Sequence, residues 1–225
     1  MPVKPFDEAK SRLNAVLSAA ERNDLARSLM LHSLQALQAS EFIDRVLVVS
    51  SDPEALTLAG EHGAEALQEA RAGLNRALVQ ARRHAVSHGA MSLLVLASDL
   101  PLVAPSDIDA LFGARDAGVV VAPDRRRVGT NALLLRPPDA IEFAFGESSF
   151  QRHLDLALHA GAKTVGLSLP GVAFDVDLTE DWTDLQALGW RPGGATSARE
   201  RFLAPPDQAT RGRRGPTLRV PHRSA

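Results

Sequence analysis

Three aspartates follow apolar stretches of this sequence at positions where a metal ion could be held. Asp99 lies two residues after the apolar run 93–97. Asp175 and Asp177 are two positions apart, so on a strand their side chains would project from the same face. Neighbouring carboxylates repel each other, and a divalent cation relieves that repulsion. The pattern predicts a Mg²⁺ site for nucleotide phosphates; a turn cap at Asp99 and exposed edge-strand acids at Asp175 and Asp177 are the alternatives.

Positive charge is concentrated near the start of the chain. Lys4, Lys10 and Arg12 lie within nine residues, on a loop that would enter the sheet. Lysine acts as a point charge and arginine as a fork for two oxygens, so the three together could neutralise a triphosphate. The loop lacks the glycines of a P-loop, so its side chains would make most of the contacts. The alternative interpretation is a solvated, charged turn.

Two further stretches offer neutral hydrogen-bond donors to an anion. Thr130 and its neighbours Gly129 and Asn131 lie between two predicted strands, although a plain turn explains them nearly as well. Gly146 and Ser149 lie at the predicted start of a helix, where free amides and the helix dipole favour an anion. Together with the acidic and basic groups, these stretches are the parts needed for transfer at a nucleoside triphosphate.

The elements that must position these residues alternate along the chain. Near-continuous apolar runs predict buried strands at 45–51, 93–97, 118–122, 132–136 and 164–169, with helical patterns between them. This alternation predicts a three-layer α/β/α sandwich of Rossmann-like type. In open α/β sheets ligands bind beyond the carboxyl ends of the strands, where the loops described above would meet.

Composition narrows the functional classes. The chain has 225 residues and no cysteine, which excludes disulfides, thiolate metal sites and cysteine nucleophiles and suits a reducing cytoplasm. No apolar run approaches a membrane span or a signal-peptide core, so no membrane partner is expected. Residues 1–190 carry a net charge of −8 and few aromatic residues, which makes nucleic acid an improbable partner. The oligomeric state is left open, and any self-association would use sheet edges or helix surfaces.

The end of the chain differs in composition from the rest. Residues 191–225 contain eight arginines, two acidic residues and five prolines, with almost no apolar periodicity. Such a segment cannot bury enough apolar surface to offset the entropy lost on ordering. We therefore predict one folded domain over residues 1–190 and a disordered basic tail over residues 191–225.

Seven sequence blocks, taken in order, resemble the guanylyltransferases of coenzyme F-420 biosynthesis. These blocks are Pro2-Val-Lys-Pro-Phe with Ala9-Lys-Ser-Arg-Leu13, Leu74-Asn-x-Ala-Leu78, Ala97-Ser-Asp-Leu-Pro-Leu102, Ala122-Pro-Asp-Arg125, Gly129-Thr-Asn-Ala-Leu133, Phe145-Gly with Ser149-Phe-x-x-His153, and Asp175-Val-Asp177 with Glu180-Asp181. The resemblance covers about residues 2–188 and implies a mixed sheet of the GT-A-like nucleotidyltransferase type.

The resemblance also implies a reaction, in which GTP and phosphoenolpyruvate or 2-phospho-L-lactate give a guanylylated product and diphosphate. By position, Lys4, Lys10 and Arg12 would bind the triphosphate, and Asn75 would lie near the nucleoside. Asp99 and Asp177 would bind Mg²⁺, with Asp175 as the second choice. Thr130, Gly146 and Ser149 would bind the phosphorylated acid. Lys10, Arg12 and Asp99 would be the catalytic residues.

One feature departs from the family pattern. The hydrophobic strand that family members carry before the Pro2 block has no counterpart, so either the start codon lies upstream or the sheet is built without that strand. The absence of that strand would leave the Lys4 loop without an anchor.

Phosphoenolpyruvate is the expected acceptor, with 2-phospho-L-lactate or 3-phosphoglycerate as alternatives. The rival functions are a molybdenum-cofactor nucleotidyltransferase and a non-catalytic nucleotide-binding regulator.

Overall fold

Strands and helices alternate in the computed structural model, which describes residues 1–192 and 195–204. The strands are β1 (Leu47–Ser50), β2 (Glu65–Gln68), β3 (Leu93–Leu96), β4 (Val119–Pro123), β5 (Thr130–Leu135) and β6 (Thr164–Gly166). The helices are α1 (Ala19–Gln38), α2 (Pro53–Glu61), α3 (Leu74–Ser87), α4 (Pro105–Gly113), α5 (Ser149–His159), α6 (Pro170–Ala173), α7 (Thr179–Ala187) and α8 (Ala195–Leu203), with a 3-10 turn at Ser11–Leu13. No helix among these described residues is both long and apolar enough to cross a bilayer.

The strands form two sheets that contain both parallel and antiparallel pairs. The larger sheet has the order β3-β5-β4-β6, in which β5 is antiparallel to β3 and β4, and β6 is parallel to β4. The smaller sheet pairs β1 with β2 in parallel. All five predicted strands are present, whereas β2 was missed because its sequence, Glu-Ala-Leu-Gln, has no β-branched residue and is mostly exposed. The predicted mixed α/β architecture is confirmed.

Both faces of the larger sheet are buried. Val120 of β4 and Leu134 of β5 belong to one apolar core with residues of α1 and α4. The next residues along these strands, Val121 and Leu135, belong to a second core with residues of α3 and α5. Because successive side chains of a strand point to opposite faces, continuous apolar runs give a sheet covered on both sides.

The first residues of the chain pair with β1. Val3 donates its amide to the Val49 carbonyl at 2.9 Å, and the Val49 amide donates to the Met1 carbonyl at 3.1 Å. The Met1 amino group donates to the Leu47 carbonyl at 2.7 Å, and its burial lowers its pKa to about 5. The opening residues therefore join the smaller sheet, and the loop that follows them is anchored at its start.

Helix α8 corrects the predicted domain boundary at residue 190. Its Ala198 is fully buried, and the Phe202 ring meets the Phe174 ring edge-on at 5.4 Å. Arg199 donates to both carboxylate oxygens of Asp107, at 2.6 and 2.9 Å. Composition alone gave no sign of these contacts, because they depend on pockets that the folded domain supplies. Residues 193–194 and 205–225 of the predicted tail lie outside the described residues.

The Arg199–Asp107 pair should contribute measurably to stability. Asp107 also accepts the Ala104 amide at the start of α4, and only 5% of its side chain is exposed. Arg199→Met should lower the free energy of unfolding by about 2–4 kcal/mol, because it leaves a buried carboxylate without its partner. Urea denaturation measures this loss. Arg201→Met is the matched control, since Arg201 donates to the Leu188 carbonyl at an exposed position and pairs with no carboxylate among the described residues. Equal effects of the two substitutions would contradict the assigned anchor.

Candidate active site

The three predicted metal-binding aspartates lie on two loops of the described chain. Asp99 lies between β3 and α4, and Asp175 and Asp177 lie between α6 and α7. The prediction that Asp175 and Asp177 sit on a strand is wrong, because within the described residues the segment pairs with no strand; the side chains of Asn131 and Asp181 hold it instead. Asp177 nevertheless converges with Asp99, because Lys10 contacts both carboxylates.

Lys10 joins two of these carboxylates. Its ammonium lies 2.6 Å from Oδ2 of Asp99 and 3.2 Å from Oδ1 of Asp177. Only 6% of the Lys10 side chain is exposed, and its backbone adopts a left-handed conformation at φ 55°. Burial lowers the pKa of Lys10, but the charges and hydrogen bonds of Asp99 and Asp177 outweigh burial and raise it above 10.5. Asp99 and Asp177 thus face one shared cation position.

Asp175 completes the acidic cluster. It is 9% exposed, and its Oδ1 accepts a 3.3 Å hydrogen bond from the Asn131 side chain. Burial, together with the charges of Asp99 and Asp177, raises the pKa of Asp175 to about 6. Asp99 and Asp177, which share the Lys10 position, offer the hard oxygen donors that Mg²⁺ prefers, and Asp175 lies near enough for their charges to act on it. The residues present therefore fit the ion expected from the sequence.

The other two basic residues of the first loop are solvent-facing. Arg12 is 71% exposed and places one guanidinium nitrogen 4.0 Å from Oδ2 of Asp177, while Lys4 is exposed. The loop itself is fixed by Phe6, which is 2% exposed and donates its amide to Oδ2 of Asp52 at 2.9 Å. The expectation that this loop lacks an anchor is wrong, and two of its charges, those of Lys10 and Arg12, lie beside the acidic cluster.

Asp181 holds the Asp177 backbone in position. Oδ2 of this fully buried residue accepts the amides of Asp177 and Leu178, at 2.9 and 2.7 Å. Its Oδ1 accepts hydrogen bonds from Arg125 and, at 2.8 Å, from Arg126. Burial raises the pKa of Asp181, but the amides and guanidinium groups outweigh burial and keep it below its ordinary value. The turn that presents Asp177 is therefore ordered without any ligand.

The Thr130 hydroxyl is oriented by a buried histidine. Nε2 of His153 accepts the Ala144 amide at 3.0 Å, so the ring proton must lie on Nδ1. Nδ1 then donates to Oγ of Thr130 at 3.0 Å, which leaves the hydroxyl proton of Thr130 free to donate to another group. Burial lowers the pKa of His153 to about 4, with a smaller effect of the Arg152 charge. His153 therefore remains neutral at physiological pH.

The remaining predicted residues lie around the loop that precedes α5. Both polar atoms of the Asn75 amide pair with the Phe145 backbone, at 2.9 and 3.0 Å, so Asn75 fixes this loop. Gly146 adopts φ +121°, and a Cβ there would meet nothing within 4 Å. Ser149 is 2% exposed, and its amide already donates to the Gly146 carbonyl at 3.2 Å. The nucleoside contact of Asn75 and the anion contact of Ser149 remain predictions.

Three residues of this arrangement were not identified as site residues from the sequence. His153 and Asp181 entered only as members of sequence blocks, and Asn131 only as a neighbour of Thr130 in a possible anion cradle. A sequence signal exists for Asp181, because an acidic residue three positions after the residue that precedes a helix commonly caps it. The partners of His153 and Asn131 are distant in sequence, so spacing could not identify them.

Comparison with known proteins agrees with this geometry. Residues 1–199 match the family model described as "Guanylyl transferase CofC like". The phosphoenolpyruvate guanylyltransferase of Sphaerobacter thermophilus is 45% identical over 88% of this chain and 95% of its own length. The enzyme of the same name from Rubrobacter xylanophilus is 45% identical over 84% and 93%. The 2-phospho-L-lactate guanylyltransferase of Methanothermobacter thermautotrophicus is 33% identical over 93% of both chains.

Solved structures support the fold. A protein of Desulfovibrio desulfuricans G20 described as a nucleotide-diphospho-sugar transferase aligns with a TM-score of 0.66 at 17% identity, over 89% of this chain and 92% of its own. CMP:2-keto-3-deoxy-manno-octonic acid synthetase, complexed with CTP, aligns with a TM-score of 0.55 at 13% identity, over 84% and 95%. The GT-A-like fold expected from the sequence is thus confirmed. With a family match over most of its length and relatives that share close to half of its residues, the chain belongs to the CofC-like guanylyl transferase family.

Proposed function

We propose that this chain is a cytoplasmic enzyme of coenzyme F-420 biosynthesis that transfers GMP from GTP to phosphoenolpyruvate. The products would be enolpyruvyl-diphospho-guanosine and diphosphate. The observation that carries the proposal is the single cation position shared by Asp99 and Asp177, with Lys10 at its centre. Relatives at 45% identity named phosphoenolpyruvate guanylyltransferase support the choice of both substrates.

The reaction needs positioning and charge neutralisation more than an activated side chain. A phosphate oxygen of the acceptor attacks the α-phosphorus of GTP in line and forms a new P–O bond. The bond between the α-phosphorus and the bridging oxygen of the β-phosphate breaks, and its electron pair leaves with diphosphate. The attacking phosphate is already ionised at neutral pH, so no general base or covalent enzyme intermediate is required.

The acidic cluster would hold the metal ion. Asp99 and Asp177 are its proposed ligands, with Asp175 as the second choice. Bound Mg²⁺ would neutralise charge on the triphosphate and the departing diphosphate. In this scheme Lys10 leaves the shared position and pairs with phosphate oxygens, where Arg12 and Lys4 add further positive charge.

The neutral donors would receive the phosphorylated acid. The Thr130 hydroxyl already accepts a hydrogen bond from His153, so its own proton would be free to bond to the acceptor. Gly146 would allow close approach of the acid, because there is open space where a side chain would lie. Ser149 and Asn75 would complete the acceptor and nucleoside sites. The 33% identical relative makes 2-phospho-L-lactate the second candidate acceptor.

The acceptor can be identified from diphosphate release. The purified chain with GTP and Mg²⁺ should release diphosphate fastest with phosphoenolpyruvate, more slowly or not at all with 2-phospho-L-lactate and 3-phosphoglycerate, and negligibly without an acceptor. A coupled phosphatase assay measures the rates, and mass spectrometry identifies the guanylylated product. Release with none of the three acids would contradict the proposal.

Asp99→Asn separates an enzyme from a nucleotide-binding regulator. Turnover should fall by about 10²–10⁴-fold, because a ligand that neutralises transition-state charge is lost. Asp116→Asn is the matched control, since Asp116 is 88% exposed and forms a surface pair with Lys163 at 3.5 Å. Unchanged turnover in Asp99→Asn would exclude the assigned role. GTP-dependent partner binding without turnover in the wild type would favour a regulator.

Lys10→Met tests the shared cation position through stability. Without Mg²⁺, in EDTA, the substitution should lower the free energy of unfolding by about 2–4 kcal/mol, because the carboxylates lose the buried ammonium that they share. Added Mg²⁺ should recover more stability in Lys10→Met than in the wild type, since Lys10 no longer competes for the site. Thermal unfolding with and without Mg²⁺ measures both effects. Lys163→Met, at a residue 68% exposed, is the control, and equal Mg²⁺ effects in all three proteins would contradict the account.

The neutral state of His153 predicts a pH dependence. The folded-state pKa of about 4 lies below the ordinary 6.5, so the stabilisation that the neutral ring supplies is complete above pH 6.5. It should be lost as the pH falls from 6.5 towards 4. Ring ¹⁵N NMR should show an Nδ1-protonated, neutral tautomer throughout pH 5–8, with exposed His159 of the same helix as the reference signal. Protonation of His153 above pH 6 would contradict the assigned hydrogen bonds.

A further inference from the structure

A second group of potential metal ligands lies outside the candidate active site. Glu65 is the first residue of β2, and His84 and His88 lie at the end of α3. One ligand atom from each of the three residues lies within 4.8 Å of the others. His84 follows Asn75 by nine residues on α3, which places it about 14 Å from Asn75 along the helix axis. The cluster is therefore a site of its own.

The two histidines occupy one face of the end of α3. Residues four positions apart on a helix are neighbours, and the rings of His84 and His88 stack with centroids 4.3 Å apart. Nδ1 of His88 lies 2.8 Å from the His84 carbonyl, which can only accept, so Nδ1 carries the proton. Nε2 of His88 is then left with a lone pair. A metal-binding histidine usually donates a hydrogen bond from the ring nitrogen that does not bind the metal. This bond keeps the proton on that nitrogen and leaves the other one free to bind the ion.

Glu65 supplies the charge that a dication requires. Its Oε1 lies 2.5 Å from Nε2 of His84, so a carboxylate and an imidazole already converge. Around a tetrahedral Zn²⁺ with ligand distances near 2.0 Å, neighbouring ligand atoms are about 3.3 Å apart. Insertion of the ion would move these two atoms apart by less than about 1 Å. Both side chains are at least a quarter exposed, so this movement meets little resistance.

The surroundings leave room for a further ligand. Glu65, His84 and His88 all line a cavity of about 380 Å³ that is also lined by Met1 and by residues of β1 and β3. A zinc ion held by three protein ligands takes water or a small anion at its fourth position. The cavity provides the space for that group.

We propose that Glu65, His84 and His88 form a Zn²⁺ site that links β2 to α3 and is separate from the site of phosphoryl chemistry. Two imidazoles and one carboxylate select Zn²⁺ over the hard ion Mg²⁺, which prefers an all-oxygen set. The bound ion would clamp the smaller sheet onto the helix that packs on it. The site therefore stabilises the fold around the cavity and takes no part in catalysis.

Zn²⁺ binding by the full chain tests this proposal. Isothermal titration with Zn²⁺ in excess Mg²⁺, which saturates the acidic cluster, should show one site in the wild type. Glu65→Gln, His84→Gln and His88→Gln should each weaken binding by at least about 10-fold, whereas His159→Gln, at an exposed histidine of α5, should not. Thermal unfolding should show a Zn²⁺-dependent rise in Tm for the wild type and for His159→Gln only.

Co²⁺ provides an independent readout. Substitution of Co²⁺ should give the intense visible absorption of a four-coordinate ion in the wild type and not in His88→Gln. Absence of Zn²⁺ binding in the wild type, or wild-type affinity in all three ligand variants, would overturn the proposal. Diphosphate release by His88→Gln in Mg²⁺ should remain at the wild-type level, so the outcome is independent of the proposed guanylyl transfer.

Discussion

The contact on which the candidate active site depends is the buried ammonium of Lys10 between Asp99 and Asp177. Asp99 and Asp177, whose side chains are 25% and 46% exposed, face each other with Asp175 nearby, and such a cluster is unfavourable without a cation. Lys10 supplies that cation in this structure. In the proposed scheme, a triphosphate and its counter-ion would replace Lys10 at this position. The same carboxylates would then serve both the stability of the free protein and the binding of the nucleotide.

Elements distant in sequence hold the acidic cluster and the basic loop in place, and each does so through a different kind of contact. Burial of Phe6 and its bond to Asp52 fix the basic loop. The capping carboxylate of Asp181, held by two arginines, fixes the turn that carries Asp177. Asn131 links β5 to Asp175, and its neighbour Thr130 bonds to His153. Thr130 and Asn131 are adjacent residues of β5, so one strand connects the Thr130 hydroxyl with the acidic cluster. The expected acceptor site and the expected nucleotide site are linked in this way.

Much of this arrangement was predictable because it follows from local patterns. Apolar runs such as 118–122 predicted the buried strands, and the positions of aspartates after such runs identified the candidate metal ligands. What failed depended on long-range contacts. The Asp175 segment is not a strand, because the side chains of Asn131 and Asp181, rather than a neighbouring strand, hold it. Helix α8 was assigned to a tail because its arginines suggested solvation, whereas Arg199 pairs with buried Asp107. The tautomer of His153 follows from the Ala144 amide, a partner that no spacing rule identifies.

The central claim is that Lys10 and a divalent ion use the same position between Asp99 and Asp177. A crystal structure of the chain with Mn²⁺ and a non-hydrolysable GTP analogue tests it most directly, because the anomalous signal of Mn²⁺ locates the ion independently of interpretation. The account predicts Mn²⁺ bound by oxygens of Asp99 and Asp177, with the Lys10 ammonium moved onto the phosphates. An ion bound elsewhere, with Lys10 still joining the two carboxylates, would contradict it.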